Sequence, residues 1–318
     1  MLDWWLWLII VIVGLLLCCG CLLGPLGGFK ILMRQLMHSM GEPKAVPPPP
    51  GITVQRDIEF VQTADGPLLL DLFKPTENPI QSSSEALPVV VFLFGGSWFG
   101  GNKNQHQMYN VVELLCESGY AVVGSQYRFS VSTLGYTKST FPAQANDTRA
   151  TIKWIRQNAE KQGLDPNAIG VWGASAGAQL GALLGTIDDE SSKVQAVVSY
   201  YGPTHLPNLA TENPKISWIL EDLLGGKLEK ERLRLAELGS PLLHITSNSA
   251  PFLIVHGKKD DVVPISQAEE MHAKLQEKGI ESTLIIKPEA GHGTPANAFN
   301  SKEDKKRVVD FFDKHLKK

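Results

Sequence analysis

Apolar and polar positions change rhythm several times along this chain, and each change marks an element. Ile52–Phe60 alternates loosely, and Leu68–Phe73 is apolar with one polar break. Turn residues Thr63-Ala64-Asp65-Gly66 lie between them, so the two runs predict an antiparallel hairpin. Gln81–Glu85 is a polar loop, and Val89–Phe94 is an unbroken β-branched and aromatic run, the pattern of a strand buried on both faces. Gln105–Ser118 predicts a helix and Tyr120–Ser125 a strand. Ala145–Gln162 is amphipathic, with Ile152 and Ile155 on one face, and Gly163-Leu164-Asp165-Pro166 stops it. Strands follow at Ile169–Trp172, Val194–Tyr200, Leu253–His256 and Thr283–Lys287, with helices at Ala176–Gly185, Ser266–Lys278 and Ser301–His315. This alternation predicts a mostly parallel sheet with helices on both faces. Residues 202–249 break it with Pro203, Pro207, Pro214 and short helical pieces at Ser217–Leu224 and Glu229–Leu238, as expected of a cap inserted after a strand or of a packed surface excursion.

The N-terminus follows a different pattern. From Trp4 to Phe29 there is no charged residue, and Trp4, Trp5 and Trp7 cluster at one end. Such a run reaches the length of about 20 residues that spans a bilayer, with indoles at the interface. Residues 1–29 are therefore expected to form an N-terminal transmembrane helix acting as a membrane anchor. A cleaved signal fits less well, because the segment before the run carries Asp3 and no basic residue. Lys30 and Arg34 follow the span, so the domain that follows is expected on the cytoplasmic side. Residues 30–50 form a linker ending in the stiff Pro47–Pro50 run, and the folded domain is expected over 51–318.

Composition narrows the function. The 318 residues are 43% apolar and 20% charged with net charge −3, which suits a packed globular domain and offers no basic surface for nucleic acid. Three of the four cysteines (Cys18, Cys19, Cys21) sit in the apolar N-terminal run and Cys116 stands alone, so neither a disulfide framework nor a zinc site is indicated.

The chemistry centres on Gly173-Ala174-Ser175-Ala176-Gly177, placed between a strand and a helix. A serine on that sharp turn lifts its hydroxyl clear of the sheet. It needs a base and an orienting carboxylate, and the chain supplies an acid and then a histidine, both after later strands. The acid is Asp260 in His256-Gly257-Lys258-Lys259-Asp260-Asp261, with Asp261 as the alternative, and the base is His292 in Ala290-Gly291-His292-Gly293. His256 ends a strand and is expected to hold the acid loop by hydrogen bonding. The remaining histidines lie in predicted linker, loop or helix. An oxyanion needs backbone donors. Ala176 N–H is one, and Gly96 or Ser97, in the Gly95-Gly96-Ser97-Trp98 loop, supplies the other. Trp98 is a candidate for the wall of the substrate pocket.

Several stretches together resemble one family. They are Phe94-Gly95-Gly96-Ser97-Trp98 with Gly101, Tyr127-Arg128, Phe141-Pro142-Ala143-Gln144 to Asp147, the serine elbow, Tyr201-Gly202-Pro203, His256-Gly257-x-x-Asp260 and Gly291-His292-Gly293. From about Gly51 to Lys318 the chain resembles an α/β-hydrolase of the carboxylesterase/lipase type, in the branch with feruloyl and acetylxylan esterase-like domains. The resemblance implies Ser–Asp–His catalysis without metal or cofactor, and a structural role for Arg128 and Asp147. Two positions depart from the family's His-Gly-Gly-Gly oxyanion loop. Phe94 replaces the histidine and Ser97 the third glycine, so the usual hydrogen-bonded brace of that loop is missing. The expected activity is hydrolysis of a small-molecule or lipid ester. Peptide hydrolysis or acyl transfer on the same triad, or a non-catalytic binding module, are the alternatives.

Overall fold

The computed structural model describes residues 47–77, 86–104, 106–130 and 139–317. The expected anchor over 1–29 lies outside them. Among the described residues no helix is long and apolar enough to cross a membrane.

Eight strands form one sheet: β1 (Ile52–Thr63), β2 (Gly66–Pro75), β3 (Leu87–Leu93), β4 (Ala121–Ser125), β5 (Leu164–Ala174), β6 (Ala196–Tyr200), β7 (Phe252–Gly257) and β8 (Ser282–Lys287). Their order across the sheet is β1-β2-β4-β3-β5-β6-β7-β8. The β1–β2 hairpin is antiparallel and meets β4 antiparallel, and every pairing from β4 to β8 is parallel. The eight α-helices among the described residues are α1 (His106–Glu117), α2 (Ala143–Gln162), α3 (Ala176–Thr186), α4 (Leu206–Glu212), α5 (Ser217–Leu224), α6 (Glu231–Leu238), α7 (Ser266–Glu277) and α8 (Lys302–Leu316).

The helices cover both faces, as the alternation of side chains along β5 demonstrates. A Cβ on Gly170 would lie 2.7 Å from the Phe312 ring on α8, whereas the side chain of the next residue, Val171, lies 2.8 Å from where Gly181 of α3 would carry its Cβ. Successive strand residues point to opposite faces, so α8 and α3 sandwich the sheet. Between them Val89, Val90, Val91 and Leu93 of β3 are fully buried, which accounts for the unbroken apolar run there.

Two local outcomes differ from the sequence pattern. β1 runs three residues further than its alternation suggested and carries two register shifts, with Asp57 at φ 53° in the first. β5 begins at Leu164, immediately after Gly163 ends α2 in the left-handed region at φ 66°. Leu164 pairs with Leu87, and the register then shifts before Ile169 pairs with Val89. Pro166 sits in that irregular stretch, where no ladder hydrogen bond is lost.

Residues 202–249, between β6 and β7, hold α4, α5 and α6 and two short 3-10 turns. α5 buries Trp218, Leu220 and Leu223, and the Trp218 ring lies 5.7 Å from Phe99 in the loop after β3. The excursion therefore packs directly onto the glycine-rich loop.

Candidate active site

β3 and β5 are neighbours, with Leu93 opposite Gly173. The loops leaving their carboxyl ends, Gly95–Asn104 and Ser175, must therefore lie side by side. The chain goes from β3 to β4 on one side and then crosses back over β3 to β5 on the other. That reversal of direction opens the crevice in which parallel α/β sheets place their sites.

Ser175 occupies the single residue between β5 and α3, at φ 52° and ψ −120°. This backbone is unfavourable for a side chain, and its surroundings hold it there. Ser175 N–H donates to Tyr200 O (2.9 Å), and Ser175 O accepts from Ala178 N–H (2.9 Å) and Gln179 N–H (3.1 Å). The glycines of the motif have steric reasons. A Cβ on Gly173 would collide with the backbone of Gly177 and Ala178, and one on Gly177 with the Leu93 and Phe94 carbonyls. Both must be glycine for α3 to start this close to β3 and β5.

His292 lies in the loop after β8, and its Nε2 is 2.8 Å from Ser175 Oγ. Its Nδ1 is 2.8 Å from Asp260 Oδ2. A carboxylate at Nδ1 fixes the proton there and leaves the Nε2 lone pair directed at the serine hydroxyl. Tyr201, the residue after β6, presses edge-on against the imidazole with centroids 5.0 Å apart and is backed by Phe299. The acid and histidine loops touch because Gly257 has no side chain; a Cβ there would strike the Ala290 and Gly291 carbonyls.

Asp260 follows β7, and its side chain is fully buried. Oδ1 accepts the Val262 and Val263 N–H groups at 2.9 and 2.8 Å. Burial opposes its ionisation. Hydrogen bonds from His256, His292 and the Val263 N–H outweigh that cost and hold the carboxyl below its usual range. Asp260 is therefore the carboxylate that reaches His292. Asp261 is exposed, and its backbone carbonyl accepts from Asn213 Nδ2 at 2.8 Å. Asp261→Asn is expected to leave stability within about 0.5 kcal/mol of the parent, as for ordinary surface changes, and to leave ester kinetics unchanged. Urea titration and initial rates check this.

The loop after β3 makes three successive left-handed turns, at Gly96 (φ 143°), Ser97 (φ 54°) and Trp98 (φ 59°). Phe99 and Gly100 N–H both fold back to Gly96 O at 3.1 Å. The N–H groups of Gly96 and Ser97 make none of the loop's backbone hydrogen bonds, and Ala176 N–H is at the first turn of α3, where no intrahelical acceptor exists. All three remain available as donors beside Ser175, and a Cβ on Gly95 would lie 3.1 Å from the Ser175 Cβ.

The brace missing at Phe94 is supplied differently. The Phe94 ring stacks on Tyr127 at 4.4 Å and 16°, and Tyr127 OH donates to Phe94 O at 2.9 Å. Burial pushes the Tyr127 phenol far above its usual range, so it remains a donor. Trp98, expected as a pocket wall, is 3% exposed, and its indole N–H donates to Gln179 Oε1 at 3.0 Å. Gln179 Nε2 in turn donates to Gly239 O at 2.7 Å, joining the loop, α3 and the 202–249 excursion. Arg128 grips Asp147 with its side chain (Nη2–Oδ1 2.7 Å) and its backbone N–H (2.9 Å).

Sequence reasoning missed Gln179 and the cluster around Asp71. Asp71 and Lys103, both buried, pair at 2.5 Å, and Arg56 reaches the other Asp71 oxygen at 3.2 Å. Lys103 also bonds Asp57 at 2.9 Å. This cluster ties the far end of the glycine-rich loop to the β1–β2 hairpin. Each had a signal: Gln179 is a polar residue in the apolar helix AGAQLGALLGT, and Asp71 is the lone charge in LLLDLF.

Esterase LipC of Mycobacterium tuberculosis is 29% identical over 238 residues, which is 71% of this chain and 56% of LipC. Esterase LipQ of the same organism is 28% identical over 235 residues, 70% of this chain and 53% of LipQ. The chain thus spans about half the length of these curated relatives. Among solved structures, a truncated carbohydrate esterase from gut microbiota superposes with a TM-score of 0.68 at 24% identity, covering 87% of this chain and all of that one, and shares the fold. Residues 70–275, a stretch that runs from β2 into α7 and carries both the serine elbow and the Asp260 loop, match the family model described as BD-FAE, and the chain belongs to that family.

Proposed function

We propose that this protein is a serine carboxylesterase working through an acyl-enzyme. The observation that carries the reading is the continuous relay Ser175 Oγ–His292 Nε2 and His292 Nδ1–Asp260 Oδ2, both at 2.8 Å. His292 Nε2 takes the hydroxyl proton as Ser175 Oγ bonds to the ester carbonyl carbon. The carbonyl oxygen becomes an oxyanion held by Ala176 N–H and by Gly96 or Ser97 N–H. The C–O bond to the alcohol then breaks, and the alcohol leaves with the proton from His292. Water repeats the sequence: His292 takes its proton, its oxygen attacks the acyl carbon, and the acid leaves as Ser175 recovers its proton. Asp260 remains ionised throughout and stabilises the imidazolium.

The names of the M. tuberculosis relatives support ester chemistry. The uncharged stretch from Trp4 to Phe29 makes amphipathic esters the first substrates to try. The test is turnover of 4-nitrophenyl and glyceryl esters of increasing acyl length by the full chain, with and without a fluorophosphonate. Hydrolysis that the reagent abolishes supports the reading. Absence of both turnover and labelling refutes it, and cleavage confined to peptides moves the assignment to a peptidase.

Asp260→Asn is expected to lower kcat by about four orders of magnitude, the loss seen when a triad acid becomes an amide that stabilises the wrong tautomer. KM for the same ester should barely move. Steady-state kinetics on the purified variant check both.

A further inference from the structure

His256, the next-to-last residue of β7, is fully buried and directly touches the proposed acid. Its Nε2 lies 2.8 Å from Val263 O and 3.2 Å from Asp260 Oδ2. Both neighbours are acceptors: a hydrogen on Nε2 bonds to Val263 O, and Asp260 Oδ2 lies beside it within ion-pair distance. Nδ1 is buried with no hydrogen-bond partner. A proton on Nδ1 instead would leave a buried donor orphaned and turn the Nε2 lone pair on two oxygens, a costly arrangement. The geometry therefore selects the Nε2–H tautomer. The Asp260 oxygen beside it is also the one that accepts His292 Nδ1–H at 2.8 Å.

We propose that His256 is a positioning residue of the relay: through Nε2–H it shares Asp260 Oδ2 with His292, fixing the direction of the carboxylate and drawing off part of the charge that His292 would otherwise face. This rests on the Ser175–His292–Asp260 reading. It goes beyond holding the loop, which the shorter bond to Val263 O would do alone. Asp260 is then ringed by donors, with Val262 and Val263 N–H on Oδ1, His292 Nδ1–H on Oδ2 and His256 Nε2 3.2 Å from the same oxygen. The titratable groups facing this pair are few. His256 comes from β7, Ser175 from the elbow, and Tyr201 stands edge-on to His292 from the end of β6. Asp261 is exposed, and Lys259 is paired with Glu289 at the surface.

The sign of the effect follows from the shared oxygen. Without the His256 donor, Oδ2 keeps more negative charge for His292, the imidazolium is more stable, and the free base appears only at higher pH. The donor-free variant His256→Met is expected to have kcat lower by about 10- to 100-fold, the worth of one hydrogen bond to a charged group. Its KM should be nearly unchanged, and the acid limb of its kcat/KM profile should move to higher pH. His256→Gln can present an N–H at the same distance along the side chain, so it should recover most of kcat and return the limb to the wild-type position. Equal impairment of the two variants, or an acid limb in His256→Met that coincides with wild type, would overturn the proposal in favour of packing alone. If His256→Met fails to fold, the wild-type full chain with 15N-labelled histidine decides. A protonated Nε2 and bare Nδ1 at His256 in the active pH range are required, and a proton on Nδ1 rejects the idea. Ser175→Ala separates the two levels. Turnover surviving in it sinks the esterase reading, whereas loss of turnover there with His256→Met unaltered sinks only this inference.

Discussion

Ser175→Ala should abolish ester turnover, lowering kcat by about 10⁴- to 10⁶-fold, while leaving the fold intact. The size comes from what remains. When a triad nucleophile is removed from known serine hydrolases, oxyanion donors and binding alone still provide about 10³- to 10⁴-fold over water. Here the proposed donors, Ala176 N–H with Gly96 or Ser97 N–H, are backbone groups that the substitution does not touch. The fold should survive because alanine keeps the Cβ already accommodated at φ 52°, and one side-chain hydrogen bond, to His292, is lost. A bond of that kind contributes about 1 kcal/mol, so the midpoint of urea unfolding should hardly move. Fluorophosphonate labelling should vanish in parallel with activity. Labelling that persists would place the nucleophile elsewhere.

The second large effect concerns stability. Asp71→Asn or Lys103→Met is expected to cost at most about 3–5 kcal/mol, because each breaks the most buried pair of the cluster and leaves the opposite charge with one more exposed partner, Asp57 at 2.9 Å for Lys103 and Arg56 at 3.2 Å for Asp71. The pair lies at 2.5 Å with the side chains 0% and 3% exposed, so water cannot take over the lost role. Replacing both partners with apolar residues removes the stranded charge. Asp71→Leu combined with Lys103→Met should therefore be more stable than either single variant. Arg56 and Asp57 tolerate the exchange, since their side chains are 22% and 65% exposed and can turn to solvent. Chemical denaturation of the four proteins tests this, and additive single and double effects would refute it. Activity should fall with the single variants too. Lys103 anchors the segment that descends from the three left-handed residues Gly96, Ser97 and Trp98, and a loosened loop would no longer hold the proposed oxyanion donors in place.

Much of this protein was legible because its signals are local. An unbroken apolar run such as Val89–Leu93 can only be a strand covered on both sides, and it is. The glycines flanking Ser175 announced a tight turn, and the clashes at Gly173 and Gly177 explain them. The start of β5 was illegible because Leu164 is recruited by Leu87, a partner distant along the chain, against a local pattern of Gly, Asp and Pro that reads as a stop. The brace at Phe94 was hidden for the same reason. A phenylalanine where a histidine is usual reads as a loss until Tyr127 is found stacked on it with its hydroxyl on the Phe94 carbonyl. Trp98 suggested a pocket wall by its size, but only the arrangement in space reveals that Gln179 takes its N–H.

By itself the sequence determined which residues could do chemistry and which elements carry them, because residue type, spacing and periodicity are properties of neighbours along the chain. It also restricted the acid to two adjacent carboxylates. Tertiary structure decided what depends on direction. It turned Asp260 rather than Asp261 toward His292, set two imidazoles on one carboxylate oxygen, and laid the loop after β3 against Ser175 by seating β3 between β4 and β5. Hydrogen bonds act over about 3 Å with strict angles, and sequence spacing carries no information at that range once residues are far apart along the chain.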